Sequence, residues 1–138
     1  MDICPCIKYD GGVRTLEFQI TECSESMVQG LTRFGKFCVK WEGDSPKVNT
    51  SYNVELDIAE ILMWGQDIAL SNREDNHISH IDGITSRSGV LESVDDDGYS
   101  VLRMGAHVIP FSSQGNAFEI GSKITLSVKS ISAHPFHI

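Results

Sequence analysis

A β-hairpin is encoded in residues 88–104, which read SGVLESVDDDGYSVLRM, two apolar runs on either side of an acidic turn. Asp95, Asp96 and Asp97 favour a turn, and Gly98 can adopt the positive φ that a tight turn needs. The flanking runs are rich in strand-forming residues, so the segment predicts two antiparallel strands. An isolated hairpin is only marginally stable in water, so we expect the rest of the chain to supply further strands that cover it.

Three further segments alternate apolar and polar residues with a period of two, which is the pattern of a half-buried strand. They are residues 13–20, 36–41 and 52–58. A last strand is predicted at residues 123–133, where the alternation slips near Lys129 and Ser130 and indicates a β-bulge. Residues 108–111 contain Pro110, so we expect an edge or irregular strand there.

Two segments are predicted as short helices, each with an alternative. Ser24 or Ser26 can cap a helix within residues 24–35, and a loop with one turn is the alternative. Asp57 and Glu60 have the spacing of a capping box for one or two helical turns over residues 58–64. A buried strand with a bulge fits the same residues, because periodicity over so short a run does not separate the two.

Length and composition are those of one globular domain spanning residues 1–138. The chain is 41% hydrophobic and 22% charged, which is ordinary for a folded protein. The polar segment near residues 42–51 is predicted as a surface loop rather than a domain boundary. The N-terminus lacks a basic region and a continuous apolar stretch, so we expect no secretory signal and a cytoplasmic location. We therefore predict a mainly β fold, a single antiparallel barrel or sandwich with one or two short helices.

The net charge of the chain indicates which classes of molecule it would attract or repel. Nineteen acidic residues against eleven basic ones give a formal net charge of −8. Such a field repels a phosphate backbone unless the few basic residues cluster on one face, so nucleic-acid binding is disfavoured. The same field favours a basic protein partner, or serves solubility alone.

Residues 88–133 resemble the second half of a small Greek-key barrel of the oligonucleotide/oligosaccharide-binding (OB) kind. The order there is strand, acidic turn, strand and short irregular strand, and then Gly121-Ser122 opens a long bulged strand. The resemblance implies a barrel that binds a ligand or nucleic acid. The surface departs from the nucleic-acid-binding members, which use basic grooves with exposed aromatic residues, because only Tyr99 and Arg103 stand near the hairpin as candidates. In general character, the chain is also similar to small acidic bacterial immunity proteins.

No catalytic residue, metal site or cofactor is predicted. The acidic turn lacks the D-x-D-x-D-G spacing and the distal glutamate of a calcium loop. His77 and His80 stand beside acidic residues, and a metal-dependent enzyme built on them is the third reading of the sequence, although no H-E-x-x-H pattern is present. The four cysteines are expected to be free thiols, because no secretory signal places them in an oxidising compartment.

The function predicted first is noncatalytic protein binding, in the form of an immunity or inhibitor protein that masks a basic toxin or enzyme. Contact would come from acidic residues of the hairpin turn and of a nearby polar loop. Trp64 is assigned to the core first and to the contact surface second, since tryptophan is common in both. The predicted contact residues are Asp95, Asp96, Asp97, Glu74, Asp75 and Trp64. A ligand- or nucleic-acid-binding OB-like barrel is the alternative function.

Overall fold

The computed structural model describes residues 13–25, 27–72 and 75–136, and these residues form β-strands joined by turns and loops. The strands are β1 Thr15–Cys23, β2 Val28–Thr32, β3 Gly35–Trp41, β4 Ser51–Ile58, β5 Ile61–Met63, β6 Ile68–Leu70, β7 His77–Ile81, β8 Ile84–Val94, β9 Tyr99–Met104, β10 His107–Gln114, β11 Lys123–Val128 and β12 Ile131–Pro135. They belong to two sheets, one closed and one nearly closed.

The first sheet is a closed five-stranded barrel with the order β1-β2-β3-β12-β4, in which β4 pairs back with β1. The alternation read from the sequence explains its inside and outside. On β1, for example, Phe18 and Ile20 are buried whereas Glu17 and Gln19 are exposed. The strands predicted at residues 13–20, 36–41 and 52–58 are confirmed as β1, β3 and β4.

The second sheet has the order β5-β10-β9-β8-β11-β6, and β7 pairs with the first half of β8. Its two end strands, β5 and β6, are consecutive in the chain and meet at a bridge between Trp64 and Ile68. This bridge brings the edges of the sheet together, so the second sheet approaches a barrel as well.

The predicted hairpin is confirmed as β8 and β9. Leu91 pairs with Leu102 and Val94 with Ser100, with a bulge in β8 between Leu91 and Ser93. The strand β8 begins earlier than predicted, at Ile84, because a second hairpin turn precedes it. That turn is Asp82-Gly83, and both residues have positive φ (53° and 79°), the combination that tight two-residue hairpins require.

The prediction of one long bulged strand at residues 123–133 is wrong. This segment forms two strands that lie in different sheets, β11 in the second sheet and β12 in the barrel. The chain changes sheets at Lys129 and Ser130, whose backbone N–H groups both donate to Glu60 Oε2, at 2.6 and 2.8 Å. The slip in the alternation therefore marks a passage between sheets. It also divides the segment 88–133 that resembled half of one barrel.

The predicted short helices are absent from the described residues. Ser24 N–H donates to the Met27 carbonyl at 2.9 Å, and β2 begins at the next residue, Val28. Gly30 lies within β2 against the Phe18 ring, where a Cβ would overlap that ring. Residues 58–64 contain β5, which pairs with β10. Within the described ranges, we find no helix with the length and apolar character needed to cross a membrane.

The prediction of a purely antiparallel sheet is wrong at two places. The strands β3 and β12 pair in parallel, and so do β5 and β10. The strand β10 as a whole lies between β9 and β5, but no described strand pairs with its far side at Pro110 itself, so the expected edge is present locally. Proline is tolerated there since β5 reaches only Ser112, Ser113 and Gln114, so the side of β10 at Pro110 is not part of that ladder.

The buried apolar residues of both sheets form one continuous core cluster. In the barrel, the rings of Phe18 and Phe37 meet edge to face with their centroids 5.4 Å apart. The sheets are joined at β7, where Ile78 N–H donates to the carbonyl of Phe34 at 2.8 Å. The polar segment after β3 is a loop, as predicted, and lies at one end of the barrel.

Candidate functional site

The three predicted aspartates lie at an exposed turn between β8 and β9. Asp95 N–H donates to the carbonyl of Tyr99 at 2.8 Å and Gly98 N–H donates to the carbonyl of Asp95 at 2.9 Å, which closes the turn. The Asp97 carboxylate accepts from Tyr99 N–H at 3.0 Å. No ion pair joins Asp95, Asp96 or Asp97 to a basic side chain of the described residues. The turn therefore presents three adjacent carboxylates to solvent.

The turn is fixed from behind by β10. The Gly98 carbonyl accepts from both the N–H and the hydroxyl of Ser113, at 2.9 and 3.0 Å. Gly98 has φ of 91°, and a Cβ at this position would overlap the Ser113 carbonyl oxygen. Only glycine fits both conditions, so the position of the carboxylates is set by the second sheet rather than by the loop itself.

Exposed apolar side chains lie beside the turn on the outer face of the second sheet. Tyr99 pairs with Ser112 and Ser112 pairs with Ile61, so these three side chains form one row across β9, β10 and β5. The side chain of Ile61 is 54% exposed and that of Tyr99 is 40% exposed. Met63, two residues further along β5 on the same face, is 37% exposed. We call Asp95, Asp96, Asp97, Ile61, Met63 and Tyr99 the acidic–apolar patch.

Trp64 lies next to this patch and is half-buried. Its ring packs against Phe118, with centroids 5.0 Å apart, and against Phe111 at 6.4 Å. Its backbone N–H donates to the carbonyl of Gln114, at the end of the strand that supports the acidic turn. The structure thus brings Trp64 and the aspartates to the same end of the second sheet, although the indole is mainly part of the packing.

The other predicted acidic residues are not brought to this place. Asp75 is exposed and lies in a depression with Ser88, Val90 and Lys123, beside the middle of β8. Five residues of extended strand, roughly 16 Å, separate Val90 from Asp95. Glu74 lies outside the described residues. Asp75 therefore belongs to a different part of the surface from the acidic turn.

Sequence reasoning missed Ile61, Met63 and Tyr99 as members of one surface. Their proximity depends on the parallel pairing of β5 with β10, which joins residues far apart in the chain. The sequence allows either a helix or a strand over residues 58–64, so it does not determine which way Ile61 and Met63 face. In the structure only the central residue of β5, Leu62, is buried, so Ile61 and Met63 share the outer face. Three consecutive apolar residues in the sequence do not indicate which of them face outward.

A groove of about 540 Å³ lies on the outer face of β1, between the β2–β3 turn and the β9–β10 turn. We call it the β1 groove. Its lining mixes short polar side chains with a few apolar ones, and comprises Val13, Thr15, Leu16, Glu17, Gln19, Leu31, Thr32, Arg33, Ser51, Ala106 and His107. Arg33 is exposed at one wall, with its guanidinium carbon 4.8 Å from the centroid of the Phe34 ring.

A buried arginine stands behind this groove. Arg87 is fully buried, and its Nη2 donates to His107 Nε2 at 3.1 Å and approaches Met104 Sδ at 3.6 Å. Its Nε and Nη1 atoms have no hydrogen-bond partner among the described residues. Burial lowers the pKa of Arg87 to about 9. No carboxylate of the described residues forms an ion pair with this cation.

His107 connects Arg87 to the groove and to the start of the barrel. Its Nδ1 lies 3.2 Å from the carbonyl oxygen of Val13. Since Nε2 accepts from Arg87, the proton must sit on Nδ1, which donates to Val13. Burial lowers the pKa of His107 to about 3, and the positive charges of Arg87 and Arg33 add to this effect. The imidazole is therefore neutral at neutral pH.

Arg103, the basic candidate of the hairpin, is engaged with a neighbour. Its Nε and Nη2 donate to the two carboxylate oxygens of Glu92, at 2.6 and 3.0 Å. The hydrogen bond from Arg103 lowers the pKa of the Glu92 carboxyl. This pair lies across β8 and β9 at the bulge, where Glu92 is the extra residue.

His77 and His80 lie on β7 and are half-buried. His80 Nδ1 is 2.8 Å from the Thr85 hydroxyl. Within the described ranges, no three His, Cys, Asp or Glu side chains are grouped so that they could hold a metal ion. Cys23 and Cys38 are free thiols, whereas Cys4 and Cys6 fall outside the described residues.

Comparison of the chain with protein-family models, with curated proteins and with solved structures found no match.

Proposed function

We propose that this protein is a noncatalytic binding protein that contacts a basic partner protein through the acidic–apolar patch. The concrete form is an immunity or inhibitor protein that covers a cationic site of a toxin or enzyme. The observation that carries the proposal is that three carboxylates, which form no ion pair with the described residues, lie on a turn fixed by β10. Beside them the side chains of Ile61 and Met63 on β5 and of Tyr99 on β9 are exposed.

Each half of the patch has a separate physical role. The carboxylates attract a positively charged partner and increase the rate of association, an effect that salt screens. The apolar side chains contribute the area whose removal from water stabilises the complex. Because the turn is held by Ser113, little conformational entropy is lost when a partner orders it.

The partner is identified by retaining it from a cell extract on the full chain at low salt and purifying it. Its dissociation constant is then measured at about 50 and about 300 mM salt, conditions between which the screening length falls roughly twofold or more. The variants are Asp95→Asn/Asp96→Asn/Asp97→Asn for the charge and Ile61→Ser/Met63→Ser for the apolar contact.

We expect the charge variant to bind about tenfold more weakly at low salt and to lose most of the salt dependence. The matched control is Glu22→Gln/Glu25→Gln/Asp44→Asn, which changes the net charge equally at exposed positions on the barrel. A partner that binds the charge variant and the control alike, or no retained partner at low salt, would contradict the proposal.

A ligand-binding barrel is a second candidate function, favoured by the closed sheet and its groove. The order β1-β2-β3-β12-β4, with β3 and β12 parallel, is similar to that of five-stranded Greek-key barrels of the OB kind. The resemblance expected for residues 88–133 would then apply to the first four strands and the last one. The β1 groove lies on the outside of this barrel, where such folds bind their ligands.

A further inference from the structure

The β1 groove has a positive end, for which no described residue supplies a counter-ion. Arg33 forms no ion pair with the described residues and is held against Phe34, whose ring lies 6.2 Å from that of His107. The turn that presents Arg33 is fixed by Thr32, whose hydroxyl donates to the Gly35 carbonyl at 2.9 Å and accepts from Phe34 N–H at 3.1 Å. The guanidinium of Arg33 is therefore positioned before any ligand arrives.

Arg87 adds to the potential at the same end. Its guanidinium is fully buried and contacts His107, whose imidazole lines the groove. A buried cation without a carboxylate partner is screened far less than a surface one, so its field reaches the groove through the protein. Two guanidinium groups thus act on one wall, and a neutral imidazole separates them.

The rest of the lining fits a small ligand better than a long polyanion. Thr15, Gln19 and Ser51 offer hydroxyl and amide groups, and Leu31 offers an apolar contact. Among the described residues of the lining, Glu17 is the one carboxylate, and it lies on β1, the floor of the groove. A phosphodiester chain along this floor would place successive negative charges near Glu17, whereas a ligand with one anionic end would not.

We propose that the β1 groove binds a small anionic ligand whose phosphate or carboxylate group sits at Arg33 and His107. This inference rests on the second candidate function and names the ligand class for it. The anion accepts charge-assisted hydrogen bonds from Arg33 and partly neutralises the field of the buried Arg87. The body of the ligand contacts the polar side chains of β1 and β4.

Binding is measured as the shift in the thermal unfolding midpoint of the full chain, because a ligand that binds only the folded state raises it. The probes are inorganic phosphate and pyrophosphate as phosphate sources and citrate as a carboxylate source. Sodium chloride keeps the ionic strength constant throughout. A short single-stranded oligodeoxythymidylate, followed by fluorescence anisotropy, represents the nucleic-acid alternative.

We expect at least one of the anions to raise the midpoint in a saturable manner at low millimolar concentration. Arg33→Gln should weaken that binding about tenfold or more, since a charge-assisted hydrogen bond is lost. Arg87→Met should weaken it less, because this group acts through its field. The matched control is Lys36→Gln, which removes the same charge from the exposed face of β3, outside the groove lining.

An equal response of Arg33→Gln and Lys36→Gln would overturn the inference, since it would show general salt stabilisation rather than a site. Oligonucleotide binding with no saturable response to the anions would overturn the small-anion ligand and leave a ligand-binding barrel in place. If neither the anions nor the oligonucleotide bind, both the inference and the second candidate function fail.

Discussion

At the scale of single residues, Arg87 lowers the stability of the fold, because it is a buried cation with unsatisfied hydrogen-bond donors. Its guanidinium loses its hydration, and among the described residues two of its nitrogen atoms have no hydrogen-bond partner and no carboxylate forms an ion pair with it. Protein cores contain such groups rarely, and positions that lower stability in this way are often used for function. Arg87 lies behind the β1 groove, and the anion site proposed there is a function that accounts for this loss of stability.

Replacing Arg87 by methionine should stabilise the fold, by about 1–3 kcal/mol in urea unfolding at pH 7. Methionine keeps most of the side-chain volume and removes the buried charge, although His107 Nε2 then loses its donor. Arg87→Ala is the control, since it removes the charge but leaves a cavity and should lower stability relative to Arg87→Met. A methionine variant that is less stable than wild type would mean that the buried charge is compensated.

His107 should make stability depend on pH in the acid range. Its pKa is about 3 in the folded protein and about 6.5 when the chain is unfolded. Between these values the unfolded chain binds more protons, so this residue's contribution to stability rises with pH from 3 to 6.5 and is constant above. It is lost as pH falls below the unfolded value.

The measurement is urea unfolding of wild type and His107→Gln at pH 4 and pH 7, compared as a difference so that other groups cancel. Wild type should lose roughly 3 kcal/mol more than the variant between the two conditions. Equal losses in the two proteins would show that His107 takes up its proton in the folded state as readily as in the unfolded one.

At the scale of single elements, the acidic turn depends on glycine for two separate reasons. Gly98 has a positive φ, and its missing side chain makes room for the Ser113 carbonyl. Gly65 also has positive φ, 85°, but a Cβ there would meet nothing within 4 Å. Comparing substitutions at Gly65 and Gly98 therefore separates two effects on stability, that of a positive φ alone and that of a close contact with a neighbouring strand.

Gly98→Ala should therefore destabilise the protein by about 3 kcal/mol or more, whereas Gly65→Ala should cost only about 1 kcal/mol. Urea unfolding gives both values. Similar losses for the two variants would mean that β10 moves away from Gly98 easily, and the carboxylates of the turn would then not be rigidly placed.

Local patterns in the sequence predict where the strands of this fold lie better than they predict which strands pair with each other. The strands β1, β3 and β4 and the β8–β9 hairpin follow from alternation and turn chemistry, which act over a few residues. The passage between sheets at Lys129 and Ser130 does not, because it depends on Glu60, about seventy residues earlier in the chain. The failed helix predictions share this cause, since β2 and β5 are fixed by strands that pair with them.

The candidate site divides in the same way. Asp95, Asp96 and Asp97 stand out in the sequence because a turn exposes them whatever lies nearby. The apolar half of the patch needs the pairing of β5 with β10. Arg87 carried a readable signal, since it has the same strand parity as buried Leu91 and therefore points to the inner face of β8.

At the scale of the whole molecule, the two sheets are interdependent. Their buried residues form one cluster, and the chain enters the second sheet after β4 and returns to the barrel only at β12. The two proposed surfaces lie on different sheets, the acidic–apolar patch on the second and the β1 groove mainly on the barrel. Occupancy of one surface thus leaves the other accessible, and the two proposals can be tested separately.

The position of β12 has a consequence for the order in which the protein folds during synthesis. The strands β3 and β4 leave the ribosome early, but the strand that pairs with both of them is made only after residues 59–130. Until then each has an unpaired edge whose N–H and C=O groups are available to other chains. Closure of the barrel is thus a late step that joins residues far apart in the chain. Before it takes place, the second sheet must either fold or stay clear of the edges of β3 and β4 to which β12 pairs.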